Sequence, residues 1–127
     1  MKRSLLAALI ATAAMACGGS GGSSGSAATS PPPSAQKVAF TETDFKIDPA
    51  TDTLKAGAYT FQVQNAGKLP HDLHIAPEGG DDMAHTALLQ ANQSGSFDVT
   101  LKKGVYTMWC AVDSHRSLGM EGSITVS

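Results

Sequence analysis

No apolar run in this chain reaches the length of about 20 residues that a membrane-spanning helix requires. The longest, Leu5 to Ala16, is broken only by Thr12 and follows Met1-Lys2-Arg3. A basic start before a short apolar stretch is the pattern of a secretory signal. Cysteine is almost missing: there is one at position 17 and one at position 110. Once exported, the folded part holds a single thiol, which excludes an intramolecular disulfide. An excess of positive charge is missing too. The net charge is −2, and without Lys2 and Arg3 it would be −4, which argues against a nucleic-acid partner. There is no Ser-His-Asp order, no phosphate loop and no paired-carboxylate signature. With 127 residues the chain is long enough for one domain and too short for two.

The signal run ends Ala14-Met15-Ala16-Cys17 and resembles the lipobox of bacterial lipoproteins. The resemblance implies cleavage before Cys17 and acylation of its sulfur. The chain departs from the pattern at Ala14, where a branched aliphatic residue is usual. Ordinary cleavage after Ala14-Met15-Ala16 would instead release a soluble protein. The division expected is a signal peptide at 1–16, a lipidated Cys17 with its linker at 17–36, and a folded domain at 37–127. The linker, Gly18 to Ser34, is Gly/Ser-rich and then Pro31-Pro32-Pro33. It has too little apolar content for a core, and random-coil scaling gives it a reach of roughly 20 Å. Such a tether holds a domain off a membrane that it meets only through its lipid.

From Lys37 onward the pattern is β. Val38-x-Phe40 and Phe45-x-Ile47 alternate, and Asp48-Pro49-Ala50 interrupts because proline cannot donate to a sheet ladder. Tyr59 to Gln64 alternates strictly, apolar against polar, as a half-buried strand does. Asn65-Ala66-Gly67 is turn chemistry. His71 to Ala76, Phe97 to Leu101, Val105 to Cys110 and Gly122 to Val126 read as further strands. Pro77 to Asp82 reads as a loop, and Asp82 to Leu89 as a helical turn or two. The motif Leu-Lys-x-Gly-x-Tyr-Thr occurs twice, at Leu54–Thr60 and Leu101–Thr107. Both copies read as hairpin turns with glycine at positive φ. Together these signals predict an all-β, Greek-key, two-sheet antiparallel sandwich.

The stretch Cys110 to Met120 is the chemical centre of the sequence. It places a thiol, an imidazole and a thioether in the order Cys-x4-His-x4-Met, with His115 in the middle. A soft thiolate, a borderline nitrogen and a weak sulfur donor suit copper, which alternates between soft Cu(I) and harder Cu(II). A lone thiol in an oxidising compartment is a liability unless something occupies it, and a metal would. One nitrogen is still needed from elsewhere. The candidates are His71 and His74. Three residues apart on a strand, they point to opposite faces, so one site cannot easily use both. His74 is then expected packed or hydrogen-bonded near the site, and His85, in a polar segment, at the surface.

Two stretches, Asn65-Ala66-Gly67…Pro70-His71-Asp72 and Cys110…His115…Met120-Glu121-Gly122, closely resemble the small blue copper proteins, the cupredoxins of the plastocyanin, azurin and amicyanin kind. The resemblance spans roughly Lys37 to Ser127. It implies one type 1 copper ion held by His71, Cys110 and His115, with Met120 as a weak axial ligand. It also implies that the backbone N–H of Asp72 donates to the cysteine sulfur and that the Asp72 side chain ties the two loops together. The family often receives that tie on Ser or Thr after the cysteine. Here Ala111 stands there, leaving Ser114 as the expected substitute. Asp113-Ser114 also replaces the Pro-Gly frequent before the second histidine.

A full ligand set leaves no open position for substrate, so the expected function is not enzymatic. It is one-electron transfer in the cell envelope, between redox proteins docking transiently near His115 on a monomer. Leu69, Pro70, Leu118, Gly119 and Met120 are expected to form the apolar docking edge. Trp109, one residue before the thiol, should face the other side of its strand. A copper trafficking or storage protein and a metal-free envelope binding module are the rival readings.

Overall fold

The computed structural model describes residues 34–127. The expected signal peptide, Cys17 and nearly all of the linker therefore lie outside the described residues. Nine strands follow in chain order: β1 (Gln36–Thr43), β2 (Lys46–Asp48), β3 (Thr51–Leu54), β4 (Gly57–Asn65), β5 (His74–Pro77), β6 (Ala84–His85), β7 (Ser94–Leu101), β8 (Gly104–Trp109) and β9 (Glu121–Val126). A single 3-10 turn, η1 (Arg116–Leu118), is the only helical element among the described residues. The strands form a four-stranded sheet, β2-β1-β4-β7, and a five-stranded sheet, β3-β9-β8-β5-β6. The all-β, two-sheet sandwich predicted from the alternating pattern is the fold.

Alternation explains the core. Along β4, Tyr59, Phe61, Val63 and Asn65 are buried while Gln62 and Gln64 are exposed. Phe40, Ile47, Leu73, Ile75, Leu101, Met108, Ile124 and Val126 complete the interior between the sheets. Phe61 packs obliquely against Phe40 and Phe97, with ring centroids 5.0 and 5.2 Å apart. Each buried aromatic of this kind contributes roughly 1.5–3 kcal/mol of hydrophobic stabilisation.

Three details differ from the sequence reading. The sheets are mixed, not purely antiparallel, because β1 runs parallel to β4 and β3 parallel to β9. Alternating polarity reports which face is buried, not strand direction. The two Leu-Lys-x-Gly-x-Tyr-Thr motifs are not hairpins. Each carries the chain from one sheet to the other, β3 to β4 and β7 to β8. Their glycines, Gly57 and Gly104, do take positive φ, at 157° and 150°. In each copy the tyrosine hydroxyl donates back to the lysine carbonyl, Tyr59 to Lys55 at 2.8 Å and Tyr106 to Lys102 at 3.0 Å. Finally, Asp82 to Leu89 is extended, not helical. Met83, Thr86 and Leu89 donate their N–H groups to Ile75, Leu73 and His71 in turn, so sheet-edge pairing overrides local helix preference.

Candidate metal centre

Three loops meet at one end of the sandwich. The first is the two-residue turn Asp44-Phe45 between β1 and β2. The second runs from Asn65 to Leu73, between β4 and β5. The third, Cys110 to Met120, closes the hairpin of β8 and β9, whose last paired residues are Trp109 and Glu121.

Backbone bonds shape the third loop. Cys110 N–H donates to Met120 O at 3.1 Å, and Met120 N–H to His115 O at 3.1 Å. His115 N–H reaches Val112 O at 3.0 Å. Gly119, with φ at 109°, ends η1 and lets the chain double back so that Met120 enters the interior. Cys110 and Met120 are fully buried, and His115 is nearly so.

The second loop is held by Asn65. Its buried side-chain amide donates to Leu69 O at 2.8 Å and Leu89 O at 2.9 Å, while its oxygen accepts Gly67 N–H at 2.9 Å. A two-way backbone bridge to Leu89, at 3.0 and 2.8 Å, then fixes His71, which is fully buried. His71 thus precedes β5, and only His74 lies in the strand.

These restraints bring together the three donors that the sequence singled out. Cys110 Sγ lies 3.9 Å from His71 Nδ1 and 3.7 Å from His115 Nδ1. The two imidazoles meet edge to face, 5.1 Å between centroids. His74 takes no part: it lies instead between Asp72 and Asp82, stacked against His85 and Trp109.

The donor set fits copper. His71 Nε2 lies 3.3 Å from Asp44 Oδ1, so a proton on Nε2 is shared with the carboxylate and the Nδ1 lone pair faces the pocket. The Leu69 N–H above all, then the Lys68 N–H and the His71 ring, hold the Asp44 carboxyl below its usual range against desolvation, which acts the other way. Burial pushes the Cys110 thiol up to about 11, although N–H groups of Asp72 and Val112 donate to its sulfur. A bound cation would supply what that buried sulfur lacks to exist as thiolate. Two nitrogens and a thiolate with a buried thioether match type 1 copper and poorly match a closed zinc site.

The Asp72 tie between loops is present, but Ser114 does not receive it. Asp72 Oδ1 accepts the backbone N–H of Ala111 at 2.7 Å, so the side chain at that position is immaterial. Ser114 instead offers its carbonyl to the Ser117 hydroxyl and the Leu118 N–H. The first loop was not legible as part of the site. Asp44 anchors His71, and Phe45 packs edge-on against His115, 5.1 Å between centroids. Phe45 sits at φ 66°, a conformation that bulky residues rarely adopt, so nothing in Thr-Asp-Phe-Lys announces a turn. Glu42, fully buried with neither carboxylate oxygen hydrogen-bonded among the described residues, was also missed.

No curated protein sequence matches the chain. Solved structures do. Dithionite-reduced auracyanin from Roseiflexus castenholzii superposes with a TM-score of 0.66 at 18% identity, covering 73% of this chain and 98% of the auracyanin. Auracyanin B gives a TM-score of 0.67 at 22% identity, with 76% and 91% covered. A reduced amicyanin variant gives 0.55 at 19%, with 72% and 82% covered. At these identities the likeness is one of fold. The sequence itself matches the family of copper-binding proteins described as the plastocyanin/azurin family over residues 34–127, the whole described domain, and the chain belongs to that family.

Proposed function

We propose that this domain is a one-electron carrier of the cell envelope, cycling one type 1 copper between Cu(II) and Cu(I). The carrying observation is the buried convergence of Cys110 Sγ with the Nδ1 atoms of His71 and His115, with the buried Met120 tied by backbone bonds to Cys110 and His115. Copper bound there supplies a one-electron couple; everything else is the work of the chain. Cys110 and His115 are held from one loop and His71 from another, and both loops are internally hydrogen-bonded, so the donors need not rearrange when charge changes. Loss of that rearrangement is what makes transfer fast.

An apolar rim surrounds His115. Phe45, Leu69 and Leu118 are the exposed large apolar residues there, 37%, 39% and 57% accessible. Phe45 contacts the His115 ring, Asp44 binds the Leu69 N–H, and Gly119 abuts Phe45, so the three sides are contiguous. Met120, expected on this rim, is wholly buried and belongs to the pocket alone. Such a small patch suits brief docking of redox proteins, with electrons crossing at His115. The envelope location rests on the signal-like N-terminus and the lipobox-like Cys17. Among the described residues no helix is long and apolar enough to cross a membrane.

Reconstitution tests the reading. The purified protein with Cu(II) should turn intensely blue and be bleached by ascorbate with copper retained, then recover on reoxidation. Colourless binding, or copper released on reduction to a chelator, would instead fit trafficking or storage.

A further inference from the structure

The outer face of the five-stranded sheet carries a second constellation. The register pairs His74 on β5 with His85 on β6 and with Trp109 on β8, so the three rings stand in a row. The imidazoles of His74 and His85 stack, 4.5 Å apart at 21°, and Trp109 stacks on His74 at 5.4 Å and 24°. Arg116 in turn lies over Trp109. Both imidazoles aim Nδ1 at one atom: Asp82 Oδ2 lies 2.9 Å from each. On its far side His74 Nε2 meets Asp72 Oδ2 at 3.3 Å.

Proton counting shows what is unusual. A neutral imidazole has one N–H, yet His74 faces a carboxylate oxygen at both nitrogens. A metal ion at Nδ1 satisfies both sides of a neutral imidazole. His74 would then donate its Nε2–H to Asp72 Oδ2 and present the Nδ1 lone pair to the ion, the arrangement in which a carboxylate orients a metal-bound histidine. His85 Nδ1 and Asp82 then complete three donors that already lie within 4.8 Å of one another. Around an ion about 2.1 Å from each ligand, neighbours at right angles lie about 3.0 Å apart and tetrahedral ones about 3.4 Å, so the 2.9 Å separations sit close to a tetragonal arrangement and open slightly for a tetrahedral one.

We propose that His74, Asp82 and His85 form a second cation site, for one borderline divalent ion of the Zn(II) or Cu(II) kind. Imidazole nitrogen with one carboxylate selects such ions over Mg(II) or Ca(II). The site is partly open: side-chain accessibilities are 14% for His74, 32% for Asp82 and 54% for His85. Water would complete the shell, so exchangeable binding is expected. Asp72 links the two centres, since its other oxygen holds Ala111 beside Cys110.

The test uses the copper-loaded protein, whose inner donors are occupied, titrated with Zn(II) by calorimetry. One ion per chain is expected. His85→Ala and Asp82→Asn, both at exposed positions, should each weaken binding at least tenfold while the blue absorption is unchanged. A second equivalent of Cu(II) should add a tetragonal, nitrogen-coordinated paramagnetic signal, absent in His85→Ala. No saturable Zn(II) binding, or equal binding in both variants, would overturn the proposal. Neither outcome bears on the electron-carrier reading, which is tested by colour and reduction alone.

Discussion

Glu42 shows how one residue can set the pH response of the domain. Burial, and then the nearby Asp72 charge, push its carboxyl up from 4.5 to about 7. In the unfolded chain it ionises near its ordinary value, so between the two the native state holds the extra proton. Stability is therefore fully present below about pH 4.5 and is lost as pH rises towards 7, by about 3 kcal/mol in total. Denaturant unfolding from pH 4.5 to 7.5 should show this decline, and Glu42→Gln should flatten it. An unchanged slope in that variant would mean that another group titrates.

Met120 and Cys110 give the sharper functional predictions. Cys110→Ser should abolish the blue colour, because the thiolate that produces it is gone; an intensely blue variant would sink the copper assignment. Met120 would hold the copper only as a weak thioether donor, so Met120→Leu should retain copper and colour. A thioether's electron density stabilises oxidised more than reduced copper, so its loss favours Cu(I), and leucine also dries the pocket. The reduction potential should therefore rise. Voltammetry showing an equal or lower potential would reduce Met120 to a core residue.

Among elements, the Asp44-Phe45 turn governs the site although it supplies no ligand. Asp44 Oδ1 accepts the N–H groups of Lys68 and Leu69, at 2.9 and 3.1 Å, and meets His71 Nε2. Asp44→Ala should leave His71 free to rotate and to change tautomer. Orienting partners of this kind are typically worth 10–100-fold in metal affinity. Competition with a chelator for Cu(II) would measure the loss; no loss would make the contact incidental. Gly67 enforces the same approach from the other side. A Cβ there would strike the Asp44 carboxylate and come within 3.0 Å of His71 Nε2. Gly67→Ala should therefore displace both.

The same turn marks a boundary of legibility. Asn65-Ala66-Gly67 was readable because asparagine and glycine have evident turn chemistry. Asp44-Phe45 was not, because its conformation is imposed by the strands on either side, which pair Thr43 with Lys46. The segment at Asp82 to Leu89 failed for a related reason. Its helical reading was local, while its actual partners, Ile75, Leu73 and His71, lie 8, 13 and 18 residues earlier.

For the whole molecule, the candidate ligands His71 and Cys110 stand 39 residues apart in the sequence and converge only on folding. An ion bound to that convergence and not to the unfolded chain stabilises the domain. At a free concentration one hundred times the dissociation constant the gain is about 2.7 kcal/mol. For a domain of this size that is roughly 10–20 °C in melting temperature. Calorimetry of the copper-loaded and copper-free protein should show it, and equal melting temperatures would argue against a site assembled by the fold.

What the sequence determined alone was the set of things that short spacing encodes. Alternation revealed the buried face of β4, and Cys-x4-His-x4-Met revealed a soft donor set within one loop. The Pro70-His71-Asp72 context separated His71 from His74. Tertiary structure decided whatever depends on residues distant in the chain. It set parallel pairing for β1 with β4, turned two apparent hairpins into crossings between sheets, and placed Asp44 behind His71. It also lifted His85 from an ordinary surface residue into register with His74. Periodicity along a strand specifies which side chains share a face; which strand lies alongside is specified only by the packing of the whole core.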